Sequence, residues 1–282
     1  MGVLNLGNVT LNNGLEMPLI GYGVFRVPEG EDLAEAVKTA IAKGYRSIDT
    51  AQIYRNEESV GRGIRAAIAE GLVTREELFV TSKVWNDGLS YEETLTAYDS
   101  SLEKLGLEYL DLYLIHWPGI DKNHVEAYKA LEKIYQDGRV RSIGVSNFHV
   151  HHLENLLKET TVIPVINQIE FHPHLTQEEV RAYCKEHGIQ VEAWSPLMNG
   201  TLLEEALIQE LAAKYSKMPA QIVLRYDVQH SVVTIPKTMT PARMTENLKV
   251  FDFSLTDEEM AKLDALNDGL RCGPDPEKFN FK

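Results

Sequence analysis

Leu78-Phe79-Val80-Thr81-Ser82-Lys83 is a short apolar run that ends in an ionisable side chain. Two other runs are built the same way: Ser47-Ile48-Asp49, which Tyr54 follows five residues later, and Asp111-Leu112-Tyr113-Leu114-Ile115-His116. A short buried strand needs no charged terminus in order to fold. Because the carboxyl ends of the strands meet at one mouth of a parallel α/β barrel, the pattern predicts an active site at that mouth.

Apolar runs typical of buried strands recur along the chain, with amphipathic helical patterns between them. They span 45–49, 78–83, 110–115, 141–145, 164–169, 189–194 and 232–235, with a weaker run near 18–21. Eight alternating strand and helix units predict an α/β fold, the closed (β/α)8 TIM barrel. A doubly wound sheet would require Gly-x-Gly-x-x-Gly directly after a strand, and neither Gly21-Tyr22-Gly23 nor Gly61-Arg62-Gly63 satisfies that pattern.

Two additions to the barrel are predicted. Residues 3–6 and 9–11 are typical of short strands joined by a Gly7-Asn8 turn, an N-terminal β-hairpin placed to plug one barrel mouth. Thr256 and Glu259 have the spacing of a capping box, which indicates an extra helix near the C-terminal end.

The composition is that of an ordinary globular enzyme. The chain has 282 residues, of which 44% are hydrophobic and 25% charged, and we expect residues 1–282 to form one domain. A net charge of −14 repels phosphate backbones and argues against a nucleic-acid partner. Two cysteines are too few for a disulfide-stapled fold, and without a basic leader or a long apolar run we expect a cytoplasmic protein with no membrane contact.

Tyr54 and the three strand-end side chains have the chemistry for carbonyl reduction. A phenol has a pKa near 10, which the ammonium of Lys83 would lower, while Asp49 keeps that ammonium charged and immobile. His116 would orient or polarise a carbonyl as Tyr54 donates the proton. No side chain supplies hydride, and without flavin or metal motifs the cofactor is predicted to be a nicotinamide.

The second half of the chain carries candidates for cofactor binding. Lys237 follows the last predicted strand and Arg243 opens the next helix, and two cations suit the extra phosphate of NADPH better than the bare ribose of NADH. Trp194 offers a flat face for ring stacking. Polar partners for a carboxamide end two other strands: Ser146, Asn147 and Gln168.

Five stretches resemble the aldo-keto reductase family, in particular its bacterial and protozoal branch of 2,5-diketo-gluconate reductases, glyoxal or methylglyoxal reductases and a prostaglandin F synthase. They are Gly44–Glu57, Asp111–Pro118, Gly144–Phe148, Asn167–Pro173 and Ile235–Lys237. The resemblance implies an (α/β)8 barrel, NADPH bound without a doubly wound domain, and the catalytic tetrad Asp49, Tyr54, Lys83 and His116.

The resemblance also implies contacts to NADPH from other residues. These are Ser146, Asn147 and Gln168 at the carboxamide, Trp194 under the nicotinamide, Ser195 and Leu197 near the pyrophosphate, Lys237, Thr238, Arg243 and Asn247 around the adenosine phosphate, Glu246 near the adenine, and Thr50. Phe25, Trp85 and Trp117 are expected to line the substrate entrance. Small aldehydes, dicarbonyls such as methylglyoxal and diketo-sugar acids are the expected substrates, and a monomer is the expected state.

Two other functions remain open. The barrel could act as a redox-sensing NADP(H)-binding module with little turnover, which an intact tetrad disfavours. A metal-dependent hydrolase would need metal sites at 149–152 or 172–174, where histidines cluster. Because adjacent histidines point to different faces of a helix, we expect structural or surface histidines and no metal.

Overall fold

A computed structural model describes residues 7–119 and 124–279. An antiparallel hairpin comes first, followed by eight parallel strands that pair in sequence order. The strands are β1 (Asn8–Thr10), β2 (Glu16–Pro18), β3 (Tyr22–Gly23), β4 (Ser47–Asp49), β5 (Phe79–Val84), β6 (Leu112–Ile115), β7 (Ile143–Ser146), β8 (Ile166–Glu170), β9 (Gln190–Trp194) and β10 (Val233–Thr234).

The sheet closes on itself between its first and last strands. Ile20 pairs in parallel with Thr234, whose N–H donates to the carbonyl of Leu19 at 2.9 Å and whose carbonyl accepts from Gly21 N–H at 2.9 Å. The predicted (β/α)8 barrel is therefore confirmed.

The first barrel strand lies later in the sequence than the weak run near 18–21 suggested. A Cβ at Gly23 would lie 2.8 Å from the carbonyl oxygen of Ile235. The chain can therefore pass this close to Ile235 only because residue 23 has no side chain. This is why the strand shows so little of the apolar pattern by which its neighbours were recognised.

The predicted hairpin is present, but its pairing differs from the prediction. Asn8 pairs with Pro18 and Val9 with Met17, around a turn in which Gly14 has a φ of 84°. The predicted Gly7-Asn8 turn is wrong because Asn8 lies within β1, and the predicted strand at 3–6 lies outside the described residues. Asn13-Gly14 supplies the positive φ that a tight turn needs.

The hairpin covers the end of the barrel opposite the predicted active site. Met17 is fully buried in a cluster with side chains from the starts of several strands: Phe79, Leu112, Ile166 and Val233. Because these residues begin their strands, the carboxyl ends remain available for the site.

Ten α-helices occur in the described parts of the chain: α1 (Glu31–Lys43), α2 (Glu57–Ala69), α3 (Tyr91–Leu105), α4 (His124–Gln136), α5 (Val150–Glu159), α6 (Glu178–Glu186), α7 (Ala206–Tyr215), α8 (Pro219–Gln229), α9 (Pro241–Asn247) and α10 (Asp257–Asp264). Short 3-10 helices span Gln52–Tyr54, Arg75–Glu77 and Met198–Glu204. The predicted capping box starts α10, where Thr256 Oγ1 accepts from Glu259 N–H. Within 7–119 and 124–279, no helix combines the length and apolar character needed to cross a bilayer.

Candidate active site

A buried ion pair lies at the carboxyl ends of β4 and β5. Lys83 Nζ donates to Asp49 Oδ1 at 2.6 Å and to the carbonyl of Thr50 at 2.9 Å, and the lysine is fully buried. Burial acts to lower the pKa of Lys83, but the charge of Asp49 and the nearby Tyr54 outweigh it and raise the pKa above its ordinary value. The ammonium is therefore charged at neutral pH.

Tyr54 ends the 3-10 helix that follows β4, and the centroid of its ring lies 5.2 Å from Lys83 Nζ. Burial raises the pKa of Tyr54 to about 12; Lys83 opposes this rise and Asp49 adds to it. Lys83 thus acts in the predicted direction, but the predicted net lowering of the phenol pKa is wrong because burial outweighs the ammonium. The phenol is protonated at neutral pH and can donate.

His116 directly follows β6 and faces Tyr54. The two ring centroids are 5.7 Å apart in an edge-on arrangement, and the Nδ1 atom of His116 is buried without a hydrogen-bond partner among the described residues. Burial, followed by the charge of Lys83, lowers the pKa of His116 well below its usual value. The imidazole is therefore neutral, and it can donate a hydrogen bond to a carbonyl oxygen without bringing a second positive charge next to Lys83.

Two amide side chains from the strand ends connect these groups. Gln168 Nε2 donates to Asp49 Oδ2 and to Glu192 Oε2, each at 2.8 Å. Asn147, in the left-handed conformation with a φ of 65°, donates to the carbonyl of His116 at 2.9 Å and accepts from Trp194 Nε1 at 2.9 Å. The residues predicted at the nicotinamide end therefore lie together at the mouth.

Ser146 belongs to the same group of residues. Its hydroxyl donates to the carbonyl of Gln168 at 2.7 Å, which ties the end of β7 to the end of β8. Thr50, predicted as a cofactor contact, is fully buried, and its hydroxyl donates to Asn56 at 2.9 Å. In this arrangement Thr50 supports the Lys83 ammonium through its carbonyl.

Glu192 is a site residue that sequence reasoning missed. It is fully buried, and burial, followed by the charge of Asp49, raises its pKa to about 8. Glu192 stands two positions before Trp194 in β9, so the alternation of side chains along a strand places both on one face. That alternation was the signal that could have found it.

The residues predicted near the pyrophosphate lie in a loop with unusual backbone angles. Ser195, Met198, Asn199 and Gly200 all have positive φ values between 46° and 100°. Leu197 precedes the 3-10 helix Met198–Glu204. Left-handed backbone in residues other than glycine is uncommon and clusters at functional sites.

The predicted adenosine-phosphate residues lie after β10 and on α9. Thr238 and Asn247 are buried, Glu246 is half-buried, and Lys237 and Arg243 are exposed. In the part of the chain that the structure describes, neither Lys237 nor Arg243 is held in an ion pair. Two uncompensated cations in a chain of net charge −14 fit an anionic ligand at this position.

Aromatic side chains surround Tyr54 and His116. Phe25 is 47% exposed and its ring centroid lies 5.0 Å from that of Tyr54. The rings of Trp85 and Trp117 lie 5.2 Å and 6.4 Å from that of His116. The predicted entrance residues therefore surround the candidate acid and its neighbour.

Phe279 is a further aromatic residue at this entrance. Its ring lies 4.8 Å from that of Trp117 and 6.5 Å from that of Trp85. Sequence reasoning missed this residue because no periodic pattern or strand end marks its position. Only the path of the chain after α10 brings it to the mouth.

The matched family decides what kind of protein this is. The model of a family described as "Aldo/keto reductase family" matches residues 19–268. The chain belongs to the aldo/keto reductase family. This confirms the resemblance found in the sequence and makes the protein an oxidoreductase.

Individual relatives and solved structures agree with this assignment. The chain is 57% identical over 273 residues to a glyoxal reductase of Bacillus subtilis, covering 97% of each chain. It is 51% identical to a 9,11-endoperoxide prostaglandin H2 reductase of Trypanosoma cruzi, over 98% of this chain and 96% of that one. A crystal structure of a Bombyx mori aldo-keto reductase in complex with NADP matches with a TM-score of 0.90 and 40% identity, over 95% of both chains.

Proposed function

We propose that this aldo/keto reductase reduces small aldehydes, dicarbonyls such as methylglyoxal and other small carbonyl compounds to alcohols, with Tyr54 as the general acid. One observation carries the proposal: the Tyr54 ring lies 5.2 Å from the buried Lys83 Nζ and 5.7 Å from the His116 ring at the mouth of the barrel.

The cofactor of this enzyme is NADPH. Its adenosine phosphate would be held by Lys237 and Arg243, the exposed cations that lack ion-pair partners among the described residues, and its nicotinamide end by Asn147, Gln168 and Trp194. When bound, NADPH supplies a hydride to the carbonyl carbon of the substrate.

The side chains at the mouth carry out the proton transfer to the substrate. Tyr54 donates its phenolic proton to the carbonyl oxygen, so the carbonyl becomes an alcohol and the phenol becomes a phenolate. Lys83 stabilises that phenolate by its charge, and Asp49 holds Lys83 in place. A proton from water then restores the phenol.

His116 positions the substrate. As a neutral imidazole it can direct a hydrogen bond at the carbonyl oxygen, which orients the oxygen toward Tyr54. Since the pKa of His116 is far below its usual value, this role does not change across physiological pH.

Small and planar carbonyl compounds suit the aromatic entrance. Phe25, Trp85, Trp117 and Phe279 present apolar faces, which favour aldehydes, dicarbonyls and aromatic carbonyls. The similarity to a relative named glyoxal reductase supports the dicarbonyl class. We further propose that diketo-sugar acids are accepted and that the enzyme acts as a monomer in the cytoplasm.

The decisive experiment is NADPH oxidation followed by absorbance with methylglyoxal, a nitrobenzaldehyde and a diketo-sugar acid. We expect turnover with at least the first two. Binding of NADPH without turnover of any of these compounds would instead favour the alternative, a redox-sensing module.

A further inference from the structure

Three histidines at the start of α5 surround one carboxylate of the C-terminal segment. Glu277 Oε1 lies 2.8 Å from His149 Nδ1, 3.3 Å from His151 Nε2 and 3.9 Å from His152 Nε2. The expectation that one metal cannot take all three histidines stands for His151, but the ligand atoms of His149 and His152 lie close enough to share an ion. His149 precedes the helix in an extended conformation, which turns its ring back toward the first helical turn.

We propose that His149, His152 and Glu277 form a binding site for a divalent transition metal, Zn²⁺ above all, with the fourth position left to water. The ligand atoms of the three residues lie within 4.8 Å of one another. Imidazole nitrogens and a carboxylate oxygen are ligands that Zn²⁺ takes.

The observed separations are close to those that a zinc ion imposes. Ligand atoms at about 2.0–2.1 Å from a tetrahedral ion lie roughly 3.3 Å from one another. His149 Nδ1, at 2.8 Å, is slightly closer than this to Glu277 Oε1, and His152 Nε2, at 3.9 Å, is slightly farther. Small side-chain rotations are enough to bring the ligand atoms of His149, His152 and Glu277, which lie within 4.8 Å of one another, to one ion.

The site has two internal costs. The guanidinium of Arg271 lies 3.5 Å from His149 Nε2, and its charge opposes that of a bound cation. The backbone N–H of His149 donates to His152 Nδ1 at 3.1 Å, which favours a proton on Nε2, the nitrogen that faces Glu277. Binding through Nε2 moves that proton to Nδ1 and gives up that hydrogen bond. We expect a site of moderate affinity and not a permanently filled structural one.

A second cluster, Glu170, His172 and Cys272, also places its ligand atoms within 4.8 Å, but its carboxylate is already engaged. Glu170 accepts from the backbone N–H of Cys272 at 2.6 Å and of Gly273 at 3.1 Å, and it contacts His172 Nε2 at 2.9 Å. Burial, together with Glu170, raises the pKa of Cys272 to about 12. A protonated thiol is a poor ligand, so this cluster holds the C-terminal segment and serves as the control.

Metal binding would tether the segment that reaches the entrance. Glu277 lies two residues before Phe279, and the Phe279 ring packs against Trp117 and Trp85. An ion shared between α5 and Glu277 therefore fixes the position of Phe279 relative to the barrel. The inference concerns metal binding and does not depend on the proposed substrates.

Titration calorimetry of Zn²⁺ into the full, chelator-treated protein tests the site. We expect about one ion per chain, and Glu277→Gln, His149→Ala and His152→Ala should each weaken binding by more than the roughly 10–100-fold that loss of an outer-shell partner costs. Cys272→Ser, in the second cluster, and His187→Ala, at the distant end of α6, should bind as the parent does. No binding by the parent, or unchanged binding in all three ligand variants, would overturn the proposal, with thermal melting used to verify that each variant is folded.

Trypsin cleavage after Lys278 tests the tether separately. The Lys278 side chain is 83% exposed, and we expect Zn²⁺ to slow this cleavage in the parent but not in Glu277→Gln. Mass spectrometry of the released C-terminal peptide measures the rate. Equal rates with and without Zn²⁺ in the parent would refute the tether.

Discussion

Lys83 Nζ donates to Asp49 Oδ1 at 2.6 Å in a setting where both side chains are almost completely removed from water. This pair places a fixed positive charge next to Tyr54. Because the charge is paired, the fold tolerates it, and because it is buried, it acts on its neighbour with little screening.

Removing one member of this pair should destabilise the protein. Asp49→Asn leaves a buried ammonium without its counter-charge, and we expect a loss of about 3–5 kcal/mol in the free energy of unfolding. The double variant Asp49→Asn with Lys83→Met should lose much less than the sum of the single losses. Urea denaturation of all four proteins measures this, and strictly additive losses would show that the two groups are not coupled.

Tyr54→Phe should abolish most carbonyl reduction. The change removes only the hydroxyl that donates the proton, and general acids contribute about 10²–10⁴-fold to the rate. NADPH binding, followed by quenching of protein fluorescence, should stay as in the parent. Tyr183→Phe on α6, away from the mouth, is the matched control, and a Tyr54→Phe variant that reduces methylglyoxal at the parental rate would exclude Tyr54 as the acid.

Lys237→Ala and Arg243→Ala should weaken NADPH binding by about tenfold or more, since each change removes a charge-assisted hydrogen bond to a phosphate. NADH lacks that phosphate, so its affinity should change little. Dissociation constants for both cofactors measure the difference. Lys249→Ala, an exposed lysine just after α9, is the control, and equal losses for NADPH and NADH would contradict the assignment.

Glu192→Gln should change how stability depends on pH. The pKa of Glu192 is raised from 4.5 to about 8, so the folded protein keeps a proton that the unfolded chain releases. The parent therefore loses stability as the pH rises from about 4.5 to about 8, by at most about 1.4 kcal/mol per pH unit. Glutamine carries no titrating proton and lacks this loss.

The difference in unfolding free energy between Glu192→Gln and the parent should therefore grow in favour of the variant up to about pH 8 and then level off. Urea denaturation at several pH values measures it. A constant difference across this range would show that Glu192 does not retain its proton in the folded state.

Much of the fold could be predicted because the apolar runs of strands and the capping residues of helices are local features of the sequence. The buried runs around Ile48, Val80 and Leu114 and the capping box at Thr256 all appear in the structure within a few residues of their predicted positions. The first barrel strand and the hairpin turn were misplaced. Both depend on glycine at close approaches and positive φ, which leave no apolar pattern in the sequence.

The candidate site was predictable only in part. Residues at strand ends, such as Lys83 and Gln168, converge by the geometry of a parallel barrel, so their neighbourhood followed from the sequence. The position of Phe279 at the entrance could not be predicted, because an irregular segment of the chain brings it there. The predicted roles of these residues stay predictions that the experiments above test.

The sequence by itself determined the order of strands and helices, the chemical groups available at the barrel mouth and the family of the protein, since all of these depend on local pattern and residue identity. Only the tertiary structure decided the sign of the Tyr54 pKa shift, the link from Asp49 through Gln168 to Glu192, and the meeting of the α5 histidines with Glu277. These depend on burial and on distances between residues far apart in the chain, and neither quantity can be read from the local sequence pattern.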